Sequence, residues 1–243
     1  MSYKPRTLFR LIEDINSNLF LPHIQRPFVW EDEQMLRLFD SLMRNYPIQT
    51  FLFWRTKDEI KARKFMEQVD WDPDLSDFYE PNMSKGGVEK VFVLDGQQRL
   101  QTLYSIFRGA ILSENNARQE AYFNITSGDK IADTGLLYEL KFTNEDIPLP
   151  WYRVANLLGK HAQRNAEELA DELNEALNER EKEKPITDHE TSDDQRAREK
   201  RVRRNMSQLV SLLREERHFW VQELDGVANE FPYKRVLDIF VLV

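Results

Sequence analysis

The sequence contains no cysteine in its 243 residues. This absence excludes disulfide bonds, thiolate metal sites and a cysteine nucleophile. Only four histidines are present, and no two of them have the i, i+4 spacing of a helical zinc pair. The chain also lacks any apolar run near the roughly 18 residues that span a bilayer, and its charged N-terminal segment is unlike a signal peptide. We therefore expect a cytoplasmic protein with no membrane partner.

Basic residues are fewer than acidic ones, with 34 lysines and arginines against 42 aspartates and glutamates, and the formal net charge is −8. Affinity for duplex DNA rests largely on neutralising phosphates, so the chain as a whole is not expected to be a tight, nonspecific DNA binder. The densest local basic segment is 196–204, and its candidate DNA-binding residues are Arg198, Lys200, Arg201 and Arg204. The alternative is a solvated helix face that balances the acidic stretch before it.

Helical and strand patterns alternate through the first 110 residues, which predicts an α/β or α+β domain. Runs of strand composition lie at 48–54 and 88–94. Between Asp32, a candidate helix cap, and Pro47, apolar residues at helical spacing predict one buried stripe. The members of this stripe are Met35, Leu38, Phe39, Leu42 and Met43.

Beyond about Pro150 the pattern is mainly helical. Two amphipathic segments, within 166–177 and 196–217, suggest an antiparallel helical hairpin packed on the rest, or a partner-binding arm. We thus expect a first domain at 1–150 and a mainly α-helical region at 151–243. The apolar run 236–243 closes the sequence, and because termini are usually polar we expect the helical region to be truncated at its C-terminal end.

The segment Phe92 to Leu100 is the part of the sequence that most clearly indicates a binding site. A strand that runs through a glycine turn into a helix presents unpaired N–H groups and the positive end of the helix dipole, which favours an anion. Gly96 allows close approach of a phosphate, and Arg99 can grip its oxygens. A carboxylate at Asp95 would repel a phosphate unless a cation lies between them, so a nucleotide site predicts Mg²⁺ at Asp95.

The same segment has a second interpretation. Asp95 as a helix N-cap with Gln98 three residues later is a variant capping box that needs no ligand. If a ligand is bound, Gln97 or Gln98 could orient an attacking water. A facing loop carries Gln25, Arg26 and nearby aromatic residues, which can contact phosphate and stack a base. Alternatively, those aromatic side chains can be buried in the hydrophobic core and contact no ligand.

Two motifs in this order resemble a known family. The segments 24–30 (IQRPFVW) and 93–103 (VLDGQQRLQTL), with the helix to 46–48 between them, look like the domain that bears the DGQQR signature. That domain occurs in GmrSD-type, modification-dependent restriction proteins and is similar to the ParB and sulfiredoxin nucleotide-binding fold. The resemblance implies an NTP as ligand or substrate. It implies nucleotide binding by Gln25, Arg26, Gly96, Arg99 and Thr102, and catalysis by Asp95, Gln97, Gln98 and Arg99.

Several functions are consistent with these observations. The first is an NTP-hydrolysing module that gates cleavage of modified DNA in a bacterial restriction protein acting against phage or foreign DNA. The second is a nucleotide- or DNA-sensing module without turnover, and the third is a structural adaptor whose charged helices dock a partner. Nucleotide and DNA are the expected partners. Formation of a homodimer is left as an open alternative.

Overall fold

A computed structural model describes residues 3–23, 25, 29–47, 50–65, 80–108, 111–112, 118–183, 190–228 and 230–242. Contacts divide the chain into two compact units. Unit 1 comprises Met1–Trp30, Ile48–Tyr104 and Arg214–Val243, and unit 2 comprises Glu31–Pro47 and Ser105–Leu213. A mixed sheet together with helices confirms the expected α+β class. Both units contain residues from before and after residue 150. The domain boundary expected near residue 150 stays a prediction.

Unit 1 is built on a six-stranded mixed sheet of order β1-β10-β3-β5-β2-β4. Parallel pairs β10/β3 and β5/β2 alternate with antiparallel pairs β1/β10, β3/β5 and β2/β4. The strands are β1 (Tyr3–Arg6), β2 (Leu19–Pro22), β3 (Thr50–Thr56), β4 (Ala62–Arg63), β5 (Lys90–Asp95) and β10 (Phe219–Asp225). Its helices are α1 (Leu8–Asp14), α3 (Pro81–Ser84), α7 (Tyr233–Leu242) and the first two turns of α4 (Gln97–Arg108).

The core of unit 1 forms around Trp54 on β3. Its ring lies 6.0 Å from that of Phe92 on β5, and its indole N–H donates to the carbonyl of Phe231, 3.0 Å away. That bond satisfies the polar group of a residue that is 1% exposed. The cluster also contains Phe20, Leu94 and, from β10, Leu224. The strand predicted at 88–94 and the helix predicted to follow it from Gln97 are both confirmed.

Unit 2 combines a small sheet with long helices. Strand β7 (Arg118–Asn124) pairs antiparallel with β6 (Ile111–Leu112), β8 (Leu140–Thr143) and β9 (Trp151–Arg153). The helices are α2 (Asp32–Met43), a 3₁₀ turn (Val154–Leu157), α5 (Ala166–Lys182) and α6 (Ser192–Arg214). The apolar stripe predicted on α2 is buried, and Phe39 packs edge-on against Phe123 at 5.2 Å.

Helix α2 begins one residue earlier than it would if Asp32 were its N-cap. Asp32 is its first residue, and Glu31 precedes it as the N-cap, with the backbone N–H of Glu31 donating to the side chain of Gln34 at 2.7 Å. The prediction that Asp32 is the cap is therefore wrong. A buried acid that the sequence did not single out, Asp40, accepts the backbone N–H groups of Leu137 and Tyr138 at 2.9 and 2.7 Å.

Helices α5 and α6 form the expected antiparallel hairpin. Asn178 contacts Glu199 at 2.9 Å, and earlier on α5 Asp171 pairs with Arg203 at 2.8 Å. Contacts that move down one helix as they move up the other define antiparallel packing. Strand β10 was not predicted, although Phe219 and Val221 are buried while Trp220 between them is exposed. In the described part of the chain, no helix combines the length and apolarity of a membrane span.

Two of the histidines that the structure describes are buried, one in each unit. His161 is 6% exposed in unit 2, where its Nδ1 lies 2.9 Å from the hydroxyl of Tyr152. His218 is 3% exposed in unit 1. Burial lowers the pKa of both imidazoles, because a charged ring loses its hydration inside the protein. The folded protein therefore favours their neutral forms.

This burial predicts a loss of stability as the pH falls. The folded-state pKa values lie below the unfolded value of about 6.5, so protonation favours the unfolded chain once the pH drops through that value. We expect the free energy of unfolding, measured in urea, to decline between about pH 7 and pH 5. His161→Gln should make this decline shallower, with His23→Gln at an exposed position as control. An unchanged slope in His161→Gln would contradict the assignment.

Candidate functional site

The turn between β5 and α4 is shaped by Gly96. Its φ is +89°, and its carbonyl accepts the first helical hydrogen bond from the N–H of Leu100 at 2.8 Å. Gly96 therefore occupies the N-cap position, and Asp95 is the last residue of β5. The alternative interpretation of Asp95 as the helix cap is wrong, because Asp95 lies one residue too early.

The carboxylate of Asp95 instead reaches across the turn to Arg99. Nη2 of Arg99 lies 3.1 Å from Oδ2 of Asp95, and the Asp95 side chain is 68% exposed. The guanidinium carbon of Arg99 also lies 5.6 Å from the centre of the Phe51 ring. The Arg99 side chain is only 22% exposed, so the carboxylate end of this ion pair is the end that lies in water.

Two glutamines connect this turn to residues that precede α2 in sequence. Nε2 of Gln25 donates to the carbonyl of Leu94 at 2.8 Å. The backbone N–H of Val29 donates to Oε1 of Gln98 at 3.0 Å. Oε1 of Gln25 is buried and has no hydrogen-bond partner among the described residues. The two motifs of the sequence therefore meet through direct hydrogen bonds, although 69 residues separate each pair.

These residues line a cleft of about 270 Å³. Its lining comprises Gln25, Trp30, Leu94 and all five residues from Asp95 to Arg99. Arg26, the other arginine predicted here, lies outside the described residues. Thr102 is fully buried one turn further along α4 and is not part of the lining. Six of the predicted site residues are thus brought together, namely Gln25, Asp95, Gly96, Gln97, Gln98 and Arg99.

The predicted DNA-binding residues differ in their surroundings on α6. Arg198 is 7% exposed, and its Nε lies 2.9 Å from Glu190, so its guanidinium is used inside the protein. Arg201 and Arg204 donate to the carbonyls of Thr126 and Gly128, at 3.2 and 2.9 Å. Lys200 is exposed. Of the four, Lys200 and the exposed side of Arg204 are the groups that could meet a phosphate.

Phe51 supports the site from beneath the turn, and the sequence did not reveal this role. A Cβ placed on Gly96 would lie 2.4 Å from Cδ1 of Phe51, so the ring packs directly under the turn. The ring is itself stacked on Phe53 and on Phe219, with 6.1 Å between centroids in both pairs. The only sequence signal was the strand composition of the run that contains it, which does not say what its side chains support.

Gly96→Ala should destabilise the protein more than a positive φ alone explains. The φ strain is of order 1–3 kcal/mol, and the clash with Phe51 adds to it. Gly87→Ala is the matched control, because Gly87 has a φ of +81° and nothing within 4 Å of its added Cβ. Urea unfolding of both variants measures the difference. Equal losses would show that the Phe51 contact does not constrain the turn.

The comparison with known protein families covers nearly the whole chain. Residues 8–241 match the family described as GmrSD restriction endonuclease, N-terminal domain. A search of curated proteins gave no match. The match includes both motifs and every described residue of the cleft. The chain therefore belongs to the family of GmrSD restriction endonuclease N-terminal domains.

Proposed function

We propose that this chain is the nucleotide-binding, NTP-hydrolysing module of a bacterial restriction protein and that it gates cleavage of modified DNA. The observation that carries this proposal is the cleft at the β5–α4 turn, where Arg99 and the start of a helix are held beside Gly96. Membership of a restriction endonuclease family supports the biological setting, which is defence against phage and other foreign DNA.

The phosphates of the nucleotide would be bound at the turn. The N–H groups of the first helical turn have no partners within the helix, and the helix dipole favours negative charge there. Arg99 adds a forked, permanently charged donor, and its ion pair with Asp95 involves a carboxylate that is largely exposed. A fold like that of ParB and sulfiredoxin, in which a glycine turn before a helix binds phosphates, is part of this proposal.

Asp95 would hold Mg²⁺ together with the bound phosphates. Mg²⁺ is commonly bound by one or two carboxylates, with phosphate oxygens and water completing its shell. The exposed Asp95 at the rim of the cleft fits such a role. Within the described residues no group of three or more acidic or histidine side chains is arranged to hold a metal. The ion would therefore arrive with the nucleotide, and it would supply charge neutralisation.

A binding module without turnover is the second candidate. The observation that favours it is the Asp95–Arg99 pair, because this contact neutralises the carboxylate without a metal ion. In that case a nucleotide would displace Asp95 from Arg99 and change the surface of the turn. Mg²⁺-dependent release of phosphate by the purified chain would distinguish turnover from binding alone.

Arg99→Ala should weaken nucleotide binding by about 10- to 100-fold, since a charged hydrogen bond is worth roughly 1.5–3 kcal/mol. Calorimetric titration of ATP and GTP in the presence of Mg²⁺ measures the change. Arg108→Ala is the control, because it removes the same charge from the other end of α4. Equal affinities of the wild-type chain and Arg99→Ala would refute a phosphate role for Arg99.

Asp95→Asn separates the two candidates. If Asp95 holds Mg²⁺, the loss of its charge should weaken Mg²⁺-dependent binding or hydrolysis strongly while the fold is kept. If Asp95 only masks Arg99, the same change should strengthen Mg²⁺-free binding by a few-fold, because the competing anion is gone. Titration of both proteins with and without Mg²⁺ gives the answer. Equal affinity in all four experiments would exclude both roles.

DNA is the proposed macromolecular partner, with Lys200 on α6 as a phosphate contact. Each phosphate contact contributes about −0.9 to the slope of log K against log salt concentration. For duplex DNA, Lys200→Gln should reduce the magnitude of that slope by about 0.9, which is the contribution of one phosphate contact. Lys160→Gln, which removes a charge from another exposed position, should leave it unchanged. Identical slopes for the two variants would remove Lys200 from the interface.

A further inference from the structure

We propose that Gln25 and Gln98 are positioning residues. Gln98 holds the backbone of Val29, and with it Trp30, beside the Asp95–Arg99 turn, and Gln25 is tied to Leu94 at the end of β5. In this assignment Gln98 acts through the backbone of Val29 and is not the residue that orients an attacking water. The inference rests on the proposed function in one respect, namely that a nucleotide occupies the cleft that these residues line. The positioning contacts themselves can be tested without any nucleotide.

The first observation is that two hydrogen bonds join the same two segments, with the roles of side chain and backbone exchanged between them. Gln25 donates from its side chain to the backbone at Leu94, and Gln98 accepts with its side chain from the backbone at Val29. Both amide orientations are fixed by chemistry, because a carbonyl can only accept and a backbone N–H can only donate. One acceptor lone pair of the Gln98 oxygen is thus used by the backbone N–H of Val29.

The second observation is that the side chain of Val29 cannot fix its own position. It is 54% exposed, so it gains little from burial. Gln98, in contrast, is only 8% exposed and sits on the first turn of α4, where its own position is set by the helix. The ordered side of the contact is therefore Gln98, and the backbone of Val29 is held by it.

The third observation concerns the wall of the cleft. Trp30 follows Val29 directly and lines the same cleft as the polar residues of the turn. Its indole ring is half-buried, and such a ring can stack on the base of a nucleotide whose phosphates lie at the turn. A shift of Val29 moves Trp30 with it. Loss of either glutamine contact should therefore act on ligand affinity, whereas the chemistry at the phosphates should be little affected.

The test measures hydrogen exchange at the backbone N–H of Val29 in the full chain without nucleotide. Gln98→Met removes the acceptor and should accelerate this exchange about tenfold, which corresponds to one hydrogen bond. Gln98→Glu keeps an acceptor oxygen and should restore the protection. Gln101→Met is the control for general destabilisation, because Gln101 is a buried glutamine one turn further along α4. It should leave Val29 unchanged.

A second measurement separates positioning from catalysis. With ATP or GTP and Mg²⁺, Gln98→Met should raise the dissociation constant or KM about tenfold and change kcat less than threefold. A fall of kcat by 100-fold or more at unchanged KM would show that Gln98 acts on the reacting water, and it would overturn the assignment. Unchanged exchange at Val29 in Gln98→Met would overturn it as well.

These outcomes are distinct from failure of the proposed function. If the wild-type chain binds neither ATP nor GTP, the nucleotide proposal fails, while the exchange measurement still decides whether Gln98 holds Val29. Gln25→Met provides an independent check. It should accelerate exchange at Val29 less than Gln98→Met does, because Gln25 donates to Leu94 and not to Val29.

Discussion

The contact between Gly96 and the ring of Phe51 is the constraint on which the candidate site depends. A residue with a side chain at position 96 would collide with that ring, and the φ of +89° is itself unfavourable for such a residue. With glycine in place, strand β5 passes directly into helix α4, and the start of the helix opens into the cleft. The same ring lies under the guanidinium of Arg99. One aromatic side chain thus supports both the turn and its cation.

Phe51 owes its position to strands that are distant in sequence. It lies on β3, between β10 and β5, and its ring stacks on Phe219 of β10. Strand β10 pairs with β3 in parallel register from Thr50 to Arg55. A chain that ended near residue 150 would lose Phe219 and the strand beside β3. The C-terminal segment therefore belongs to the support of the site, even though none of its described residues lines the cleft.

The sequence predicted the local geometry of the site well because its determinants are local. The apolar run of β5, the glycine and the helical spacing after Gln97 all lie within about fifteen residues, and each favours the same structure. Features that depend on distant partners were missed. One such feature is the hydrogen bond from the backbone N–H of Val29 to the side chain of Gln98, because these residues are 69 positions apart. Likewise, the burial of Arg198 depends on Glu190 and Asn178, so a basic run on a helix looked like a surface patch.

The exposure of Asp95 bears on how the proposed site would respond to a phosphate. A buried, fully satisfied ion pair would resist a phosphate, because both charges would have to be separated within a medium of low dielectric constant. Asp95 is largely exposed, so water stabilises its carboxylate once Arg99 leaves it. Arg99 keeps its contact with Phe51 during such an exchange, because that contact does not involve Asp95. In the proposed nucleotide site, Arg99 would thus exchange Asp95 for a phosphate while keeping its contact with Phe51, and the released carboxylate would be available to the Mg²⁺ proposed to accompany the phosphates.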